Sequence, residues 1–428
     1  MHTSVRCGLF LLAAAAASRG GVIVVDPGGG SGGAALLQSA IDAAQEGDIL
    51  LLRPGDYATS GPKTHPHIYD KGLTLIVDGP PGSVVLSGLW IAALGGHPIF
   101  VRGLHVAPQP LVGFPLGAVV MFYQSTIWFE DCVFTGAAAT DEIASPGLGL
   151  PCCSPFPAIS VTLVRCTITG GDGADEVPGV SPARQGATGA NLSRAGVTIH
   201  ECLVQGGKGG DGDPFVGGNP YLALGGTAVF CYDHVSASVL GCTLQGGDEG
   251  LNNPAETMPG SGLFLYLSDV FQYQSDVNVR DSEIHAGNVN GAGTPAPDIQ
   301  SPASSVVFYP AALRSLSVPS PLREGERSVL HVQGEVGDEV WAFLGLSAGL
   351  KPMEFKQGDF VLDDVFPCSA ILGAITDASG VLDTAFQLPN LPAGIDGVVI
   401  TLQSAVMPAS GGPLLGSGSA LVWIDDAL

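Results

Sequence analysis

Acidic side chains recur in three glycine-rich segments, each of which follows a nine-residue cysteine motif. The pairs are Asp172 and Asp175, Asp211 and Asp213, and Asp248 and Glu249. Carboxylate oxygens are the ligands that Ca²⁺ prefers in proteins. If the fold stacks the three segments on one edge, these six residues are candidate calcium ligands. The alternative is a purely structural role, because Asp and Gly are also ordinary turn residues.

A second set of possible metal ligands lies nearer the N-terminus. His65 and His67 flank Pro66, and Asp70 follows them. Residues i and i+2 of a strand share a face, so two imidazoles there could bind one metal ion. Because the pair lies in a proline-containing loop, we interpret both histidines as solvated.

Residues 28–33 contain a glycine run that satisfies two catalytic patterns. One is the G-x-G-x-x-G fingerprint of dinucleotide-binding folds, and the other is the G-x-S-x-G nucleophile elbow. Both need alternating strands and helices downstream, and helical periodicity is almost absent after Ala44. We therefore interpret the run as a lead-in to a short helix.

Five segments that align without gaps over nine residues define an internal repeat. Equivalent positions hold Cys132, Cys166, Cys202, Cys242 and Ser282, at intervals of 34, 36, 40 and 40 residues. A fixed motif at such intervals is the signature of a solenoid. The sequence therefore predicts an all-β fold whose short parallel strands stack coil upon coil, about 4.8 Å apart.

The phase of the motif predicts a corner inside each repeat. Strict alternation of inward and outward residues breaks between Leu163 and Cys166, so a bend at Val164-Arg165 must return the next strand to the same core. The equivalent corners are Glu130-Asp131, His200-Glu201, Leu240-Gly241 and Arg280-Asp281. The cysteines then form a buried ladder, which suits reduced thiols. A disulfide between stacked neighbours is the alternative.

The composition limits the class of partner. The chain has 428 residues, including 62 glycines, and 46% are hydrophobic but only 13% are charged. A formal net charge of −24 repels nucleic acid and anionic membranes, so we exclude both as partners. The same charge disfavours acidic polysaccharides unless a divalent cation bridges the two.

The N-terminus predicts export. Arg6 begins a short basic region, an apolar stretch runs from Cys7 to Ala17, and small residues supply a cleavage site, so residues 1–18 resemble a secretory signal peptide. We expect a secreted protein that is extracellular, periplasmic or attached to the cell surface. No later run is long and apolar enough to span a membrane.

The C-terminal part has a different pattern. The cysteine motif stops after about Ala311, and segments such as Ser328–Gln333 and Glu339–Leu344 predict antiparallel strands separated by Gly/Pro turns. We assign residues 22–305 to the solenoid and residues 311–428 to a small antiparallel β-sandwich. Such a module could bind glycan, anchor the protein or cap the far end of the solenoid.

Residues 37–57 resemble the opening of pectin-lyase-like proteins, which are right-handed parallel β-helices. Leu37, Ile41 and Ala44 share one face of a helix, and an apolar strand and a Pro-Gly turn follow. In that family a short amphipathic helix covers the apolar end of the first coil. The resemblance covers roughly residues 22–300 and implies a right-handed parallel β-helix with an N-terminal capping helix.

The resemblance also implies a candidate chemistry. Polysaccharide lyases of this fold use calcium held by acidic side chains and a basic residue that removes the proton alpha to a uronate carboxylate. Arg184, Arg194 and Lys208 lie in or near the loops and are the candidate bases. Arg165 and Arg280 occupy corner positions, where we expect them to be solvated. The solenoid, residues 22–305, has no paired Asp-Asp signature of the kind that marks polygalacturonases, which favours elimination over hydrolysis.

Three functions remain open. The first is a secreted β-helix protein that engages extracellular polysaccharide through its flank, with turnover unproven. The second is a calcium-dependent lyase that acts on uronate-containing glycans. The third is a non-catalytic surface or adhesion scaffold. A basic side chain within reach of the turn acids is the feature that would favour the lyase.

Overall fold

The computed structural model describes most of the chain after the predicted signal. The described ranges are 20–28, 33–57, 65–92, 97–107, 118–122, 126–139, 144–150, 159–177, 183–211, 224–232, 234–251, 259–266, 275–289, 295–301, 304–309, 313–345, 348–352, 359–362, 365–408 and 413–428. The predicted signal and Asp213 lie outside the described residues.

Three parallel sheets, formed by described residues between Val22 and Tyr309, build the first part of the molecule. Sheet 1 contains Val22–Val25, Ile49–Leu52, Thr74–Val77, Pro98–Arg102, Thr126–Glu130, Ile159–Val164, Ala195–His200, Ser236–Leu240, Asp276–Arg280 and Ser305–Tyr309. Sheet 2 contains Gly55–Asp56, Val84–Leu86, Leu104–Val106, Val133–Thr135, Thr167–Thr169, Leu203–Gln205, Thr243–Gln245 and Glu283–His285. Sheet 3 contains His67–Tyr69, Leu89–Ala92, Val119–Phe122, Leu148–Gly149, Ala190–Ser193, Val229–Tyr232, Leu263–Tyr266 and Ile299–Gln300.

The order of the strands defines a parallel β-helix. The chain enters sheets 1, 2 and 3 in turn, and neighbours in each sheet come from successive coils in parallel register. Such crossovers are right-handed in nearly all proteins. The predicted fold class, a right-handed parallel β-helix followed by an antiparallel β-sandwich, is confirmed.

The predicted corners separate sheet 1 from sheet 2. The second residue of each corner has a left-handed backbone, with φ of 53° at Asp131, 51° at Arg165, 55° at Glu201, 61° at Gly241 and 46° at Asp281. One left-handed residue reverses the alternation of inward and outward side chains, which returns the next strand to the same core.

The cysteine ladder follows directly after these corners. Cys132, Cys166, Cys202 and Cys242 are buried free thiols. Each coil hydrogen-bonds to the next through them, since the backbone N of Cys166 donates to Sγ of Cys202 at 3.3 Å and that of Cys202 to Sγ of Cys242 at 3.4 Å. The structure therefore has reduced thiols in the ladder.

The helix Gly33–Ala43 covers the N-terminal end of the core. Leu37, Ile41 and the adjacent Ala44 are buried against the first coils. Nζ of Lys71 donates to the carbonyl oxygens of Ile41 and Ala44, at 3.0 and 2.9 Å, which satisfies acceptors left free at the helix C-terminus. The predicted capping helix is confirmed. None of the described helices is long and apolar enough to cross a membrane.

The C-terminal part is a sandwich of two sheets around its own core, which includes Leu316, Val332, Val340 and Trp423. The smaller sheet contains Ser315–Ser317, Arg327–Gln333 and Val381–Gln387. The larger contains Leu322–Arg323, Glu339–Gly345, Val365–Ala374, Gly397–Met407 and Leu414–Ile424, and a separate hairpin pairs Ala348–Pro352 with Asp359–Leu362. We call residues 313–428 the C-terminal module.

The C-terminal module packs against the outer face of sheet 1, along the flank of the solenoid. Outward residues of sheet 1 that would otherwise be exposed form apolar clusters with the module. They are Ile49, Leu51, Ile76, Phe100, Trp128 and Val164, and their partners include Val399, Ala420, Val422 and Ile424. The module thus lies along the flank of the solenoid, an arrangement that the sequence did not predict, and glycan binding and anchoring stay predictions.

The expectation that Arg165 and Arg280 are solvated is wrong. The module lies over the corners, and NH2 of Arg280 donates to the carbonyl oxygen of Leu415 at 2.7 Å. Arg165 is mostly buried and forms ion pairs with Glu130 and Asp131 from the preceding coil. The repeat places these side chains outward correctly, but a second domain covers that surface.

Candidate functional site

The turn acids lie in glycine-rich segments that leave sheet 2 and return to sheet 3. Residues 206–211 have two buried residues followed by one partly exposed residue, repeated once, which is the three-residue period of a polyproline II helix. Gly206 and Gly207 donate to different neighbours, namely Gln245 O of the next coil at 2.9 Å and Ala187 O of a returning segment at 2.8 Å. These segments therefore pack side by side through backbone hydrogen bonds.

Close packing explains why only the third position of each triplet has a side chain. A Cβ added to Gly207 would lie 2.0 Å from the carbonyl oxygen of Gly171, and one added to Gly210 would lie 1.9 Å from that of Ala174. Lys208 and Asp211 occupy the positions with room. The spacing that suggested calcium turns is thus also the spacing that backbone packing requires.

Four aspartates join successive coils through their carboxylates. Oδ1 of Asp172 accepts from the backbone N of Lys208 at 2.8 Å, and Oδ1 of Asp175 accepts from that of Asp211 at 2.9 Å. The same contact joins Asp211 to the backbone N of Leu251 at 2.8 Å, and Asp248 to that of Asn288 at 2.7 Å. One oxygen of each carboxylate therefore satisfies a backbone donor of the following coil.

Lys208 is the candidate base that the structure brings among these acids. Its Nζ donates to Oδ1 of Asp211 at 2.8 Å. This hydrogen bond raises the pKa of Lys208, and the charges of Asp211, Asp175 and Asp172 add to the rise. Burial raises the pKa of Asp211, but the hydrogen bonds from Lys208 and the backbone of Leu251 outweigh it, so that the pKa is lowered overall. The pair is an ion pair at neutral pH.

The other two candidate bases occupy different environments. Arg184 lies on the returning segment, where its backbone N donates to Ala174 O and its carbonyl accepts from Gly210. Arg194 lies at the corner between sheets 3 and 1, with a left-handed φ of 47°. Both side chains have interaction partners.

One group of acids in the described part of the chain has oxygens close enough to share a metal ion, and it is not on the predicted edge. Carboxylate oxygens of Glu324, Asp425 and Asp426 lie within 4.8 Å of one another in the C-terminal module. Glu249 of the predicted edge is fully buried and has a partner.

The histidine pair does not form a common ligand set. The ring of His65 stacks on Trp90 with centroids 6.3 Å apart, and burial lowers the pKa of His65. The backbone N of His67 donates to Oε1 of Gln38 of the capping helix at 2.8 Å. The expectation that both are solvated is wrong for His65, which packs under the tryptophan.

An aromatic row on the outer face of sheet 3 is a feature that the sequence interpretation missed. Phe230 and Phe264 are register neighbours with ring centroids 5.2 Å apart, and Tyr232 and Tyr266 are neighbours at 5.3 Å. Tyr266 is 38% exposed and the other rings are partly exposed. We call these four residues the aromatic row. The recurrence of aromatic-x-Tyr in successive coils is the signal that would have found it.

In the part of the chain that the structure describes, the strands around the aromatic row are uncharged. None of the eight described strands of sheet 3 contains Asp, Glu, Lys or Arg. The register neighbours of Phe230 and Phe264 on either side are Asn191 and Gln300, and Ser193 adjoins Tyr232. The face combines exposed aromatic carbon with amide and hydroxyl groups.

Comparisons with known proteins give weak likenesses. No known protein family and no curated protein matches the sequence. Among solved structures, the chain is similar to the PL6 family alginate lyase AlyGC, with a TM-score of 0.31 and 13% identity over 68% of this chain and 39% of that one. It is also similar to the enzymatically active domain of tailspike protein 4 of bacteriophage CBA120, with a TM-score of 0.28 and 8% identity over 94% and 68% of the two chains. At these values the likeness carries no argument about function, and the fold assignment rests on the strand pairing.

Proposed function

We propose that this protein is exported and binds an extracellular polysaccharide along the outer face of sheet 3. The observation that carries the proposal is the aromatic row of Phe230, Tyr232, Phe264 and Tyr266. Sugar rings have apolar C–H faces, and aromatic side chains supply a large, rigid apolar contact with little loss of conformational entropy. Tyrosine hydroxyls, Asn191 and Gln300 add hydrogen-bonding groups for sugar hydroxyls.

Sheet 3 is the flank best suited to this role. The C-terminal module covers the outer face of sheet 1 at Ile49, Trp128 and Val164, and leaves its last strand, Ser305–Tyr309, exposed. The outer face of sheet 2 carries mostly Thr, Gln and Val side chains, and in its described strands it has no aromatic pair. The glycine-rich segments end beside sheet 3. The aromatic row therefore lies between these segments and the corner where sheet 3 meets sheet 1.

Binding to a polysaccharide panel by purified wild-type protein and by Tyr266→Ala tests the proposal. Removal of one exposed ring is expected to weaken binding by roughly 2- to 12-fold, the worth of an aromatic contact. Tyr309→Ala is the matched control, because Tyr309 is 39% exposed but lies on sheet 1. Equal loss in both variants, or no binding by the wild type, would refute the proposal.

The alternative proposal is a calcium-dependent lyase with Lys208 as base and the turn acids as ligands. The 2.8 Å contact of Lys208 with Asp211 favours it, because a basic group does lie among the acids. Against it, a base that works near neutral pH needs a lowered pKa, whereas Asp211 raises the pKa of Lys208. We therefore favour binding of the polysaccharide over its cleavage by elimination.

Ultraviolet absorbance of the reaction mixture separates the two proposals. Elimination creates a conjugated unsaturated sugar, so pectate, alginate and glycosaminoglycans are incubated with Ca²⁺ or with EDTA. A rise with Ca²⁺ that EDTA abolishes and Lys208→Met removes would establish the lyase. A flat trace with retained binding is the expected result.

A further inference from the structure

We infer that the polysaccharide bound by sheet 3 is uncharged. The inference rests on the proposed function and names its ligand class. Two observations carry it together: the exposed aromatic row lies in a sheet whose eight described strands contain no Asp, Glu, Lys or Arg, although the whole chain has a net charge of −24.

The absence of charge from this face is specific to sheet 3 among the three described sheets. Strands of sheet 1 contain Arg102, Glu130 and Arg280, and strands of sheet 2 contain Asp56 and Glu283. The eight described strands of sheet 3 contain no Asp, Glu, Lys or Arg, and their one imidazole, His67, lies five strands away from Phe230. A surface built to hold uronates would need cationic or metal-bound groups there.

The charges that adjoin the face also disfavour an acidic ligand. Asp298 directly precedes the strand Ile299–Gln300, and its carboxylate accepts from the backbone N of Ala286 at 2.8 Å. Asp276 lies at the start of the sheet 1 strand that follows the row. Arg194 adjoins Ser193 but lies at a corner and has a partner of its own.

Desolvation supplies the physical reason for discrimination. A carboxylate placed against aromatic rings loses water and gains no cation in return, which is costly. A neutral ring loses only weakly held water from its C–H face, and its hydroxyls can pair with amide and phenol groups. An acidic polysaccharide is also repelled by the net negative charge of the protein. This part of its cost in binding free energy falls with added salt.

The inference has a chemical consequence. β-Elimination requires a carboxyl group next to the carbon that loses its proton, since the carboxyl group makes that proton acidic. A neutral chain with unmodified sugars has no such group. A neutral polysaccharide of unmodified sugars held on sheet 3 is therefore not a substrate for elimination, whereas a methyl-esterified uronate is neutral and keeps an acidic alpha proton.

Matched pairs of polysaccharides that share a backbone and differ in charge test the inference. Hydroxyethyl cellulose and carboxymethyl cellulose form one pair, and methyl-esterified and free polygalacturonate form another. At low ionic strength we expect the neutral member of the bound pair to bind at least about 10-fold more tightly, and we expect the difference to shrink in 1 M salt. Tighter binding of the acidic member would overturn the inference and leave the proposed function standing. Binding of neither member of any pair would overturn both.

A charge-addition variant gives a second readout. Asn191→Lys places a cation beside Phe230, and it is expected to raise affinity for the acidic member about 5-fold, the effect of one exposed charge pair. Affinity for the neutral member should not rise, because the substitution also removes an amide that can pair with sugar hydroxyls. Gln205→Lys adds the same charge to the exposed face of sheet 2 and should change neither. An equal gain from both variants would show that net charge, and not this face, selects the ligand.

Discussion

The hydroxyl group of Ser419 in the C-terminal module donates a 2.6 Å hydrogen bond to Oε1 of Glu130 in the solenoid. The backbone N of Ala420 donates to the other carboxylate oxygen at 2.7 Å. Glu130 is fully buried and is paired with the guanidinium groups of Arg102 and Arg165. Two domains thus share one buried carboxylate whose partners come from both sides, which fixes where the module docks.

We predict that Glu130→Ala destabilises the protein by about 3–5 kcal/mol, the cost of removing one partner from a buried charge network. Arg102 and Arg165 would keep their ion pairs with Asp131 but lose the buried carboxylate that also binds the module. Urea unfolding monitored by tryptophan fluorescence measures the change, because Trp128 is buried beneath Ala420 in the same interface. Glu283→Ala, on the exposed face of sheet 2, is the control and should change stability by less than about 0.5 kcal/mol. Similar effects of the two substitutions would show that the network does not hold the module.

His200 gives the same interface a dependence on pH. Burial lowers the pKa of His200 to about 3, and the charge of Arg280 adds to the effect. An unfolded histidine has a pKa near 6.5, so between pH 6.5 and about 3 the unfolded state binds a proton that the folded state does not. His200 therefore contributes stability that is fully present above pH 6.5 and is lost as the pH falls to about 3.

We predict that His200→Leu removes a slope of up to about 1.4 kcal/mol per pH unit from the unfolding free energy in this window. Leucine is a suitable replacement because Leu240 occupies the same register position in the next coil. Denaturant unfolding at pH values about one unit apart, between about pH 4 and 7, measures the slope. His285→Leu, at an exposed position, should leave the slope as it is. A slope that persists in His200→Leu must come from the acidic side chains.

The solenoid could be predicted from the sequence because the repeat shows which side chains face the core and which face outward. The cysteine motif located the left-handed corner residues, such as Arg165, and the pattern of Leu37 and Ile41 located the cap. The period of a repeat shows which side chains point outward, but not what packs against them. The burial of Arg280 by the C-terminal module could therefore not be predicted from the sequence. The cysteine repeat lies in strands of sheets 1 and 2, so it does not relate Tyr232 to Tyr266 in sheet 3.

The glycine-rich segments yield a third prediction. Gly207→Ala should destabilise the protein by about 3 kcal/mol or more, because overpacking a close-packed site forces the backbone apart and the new Cβ would meet the carbonyl oxygen of Gly171 at 2.0 Å. Circular dichroism and urea unfolding measure the effect. Gly21→Ala is the matched control, since its Cβ would meet nothing closer than 3.7 Å, and it should be nearly neutral. If Gly207→Ala were equally mild, the segments would not be packed as closely as the structure indicates.

The cysteine ladder yields a fourth prediction, which also decides between thiols and disulfides. All four ladder thiols are buried, so reagents cannot reach them in the folded protein. Burial also raises the pKa values of Cys132 and Cys202, and the reactive form of a cysteine is the thiolate. We expect alkylating reagents to leave the ladder thiols unmodified in the folded protein and to modify all of them in urea without reductant. Mass spectrometry of peptides from the two reactions provides the measurement. A ladder cysteine that resists alkylation in urea until a reductant is added would establish an inter-coil disulfide instead.

A substitution within the ladder tests the role of these thiols as hydrogen-bonding groups. Ser282 already occupies the ladder position one coil beyond Cys242, and its Oγ accepts from the backbone N of Cys242 at 3.0 Å. Cys202→Ser can therefore keep the acceptor for Cys166 and should cost only about 1–2 kcal/mol, whereas Cys202→Leu overpacks the site and should cost more. Urea unfolding of the two variants gives the comparison. A larger loss for serine than for leucine would mean that apolar packing, and not the hydrogen bond between coils, is what the sulfur supplies.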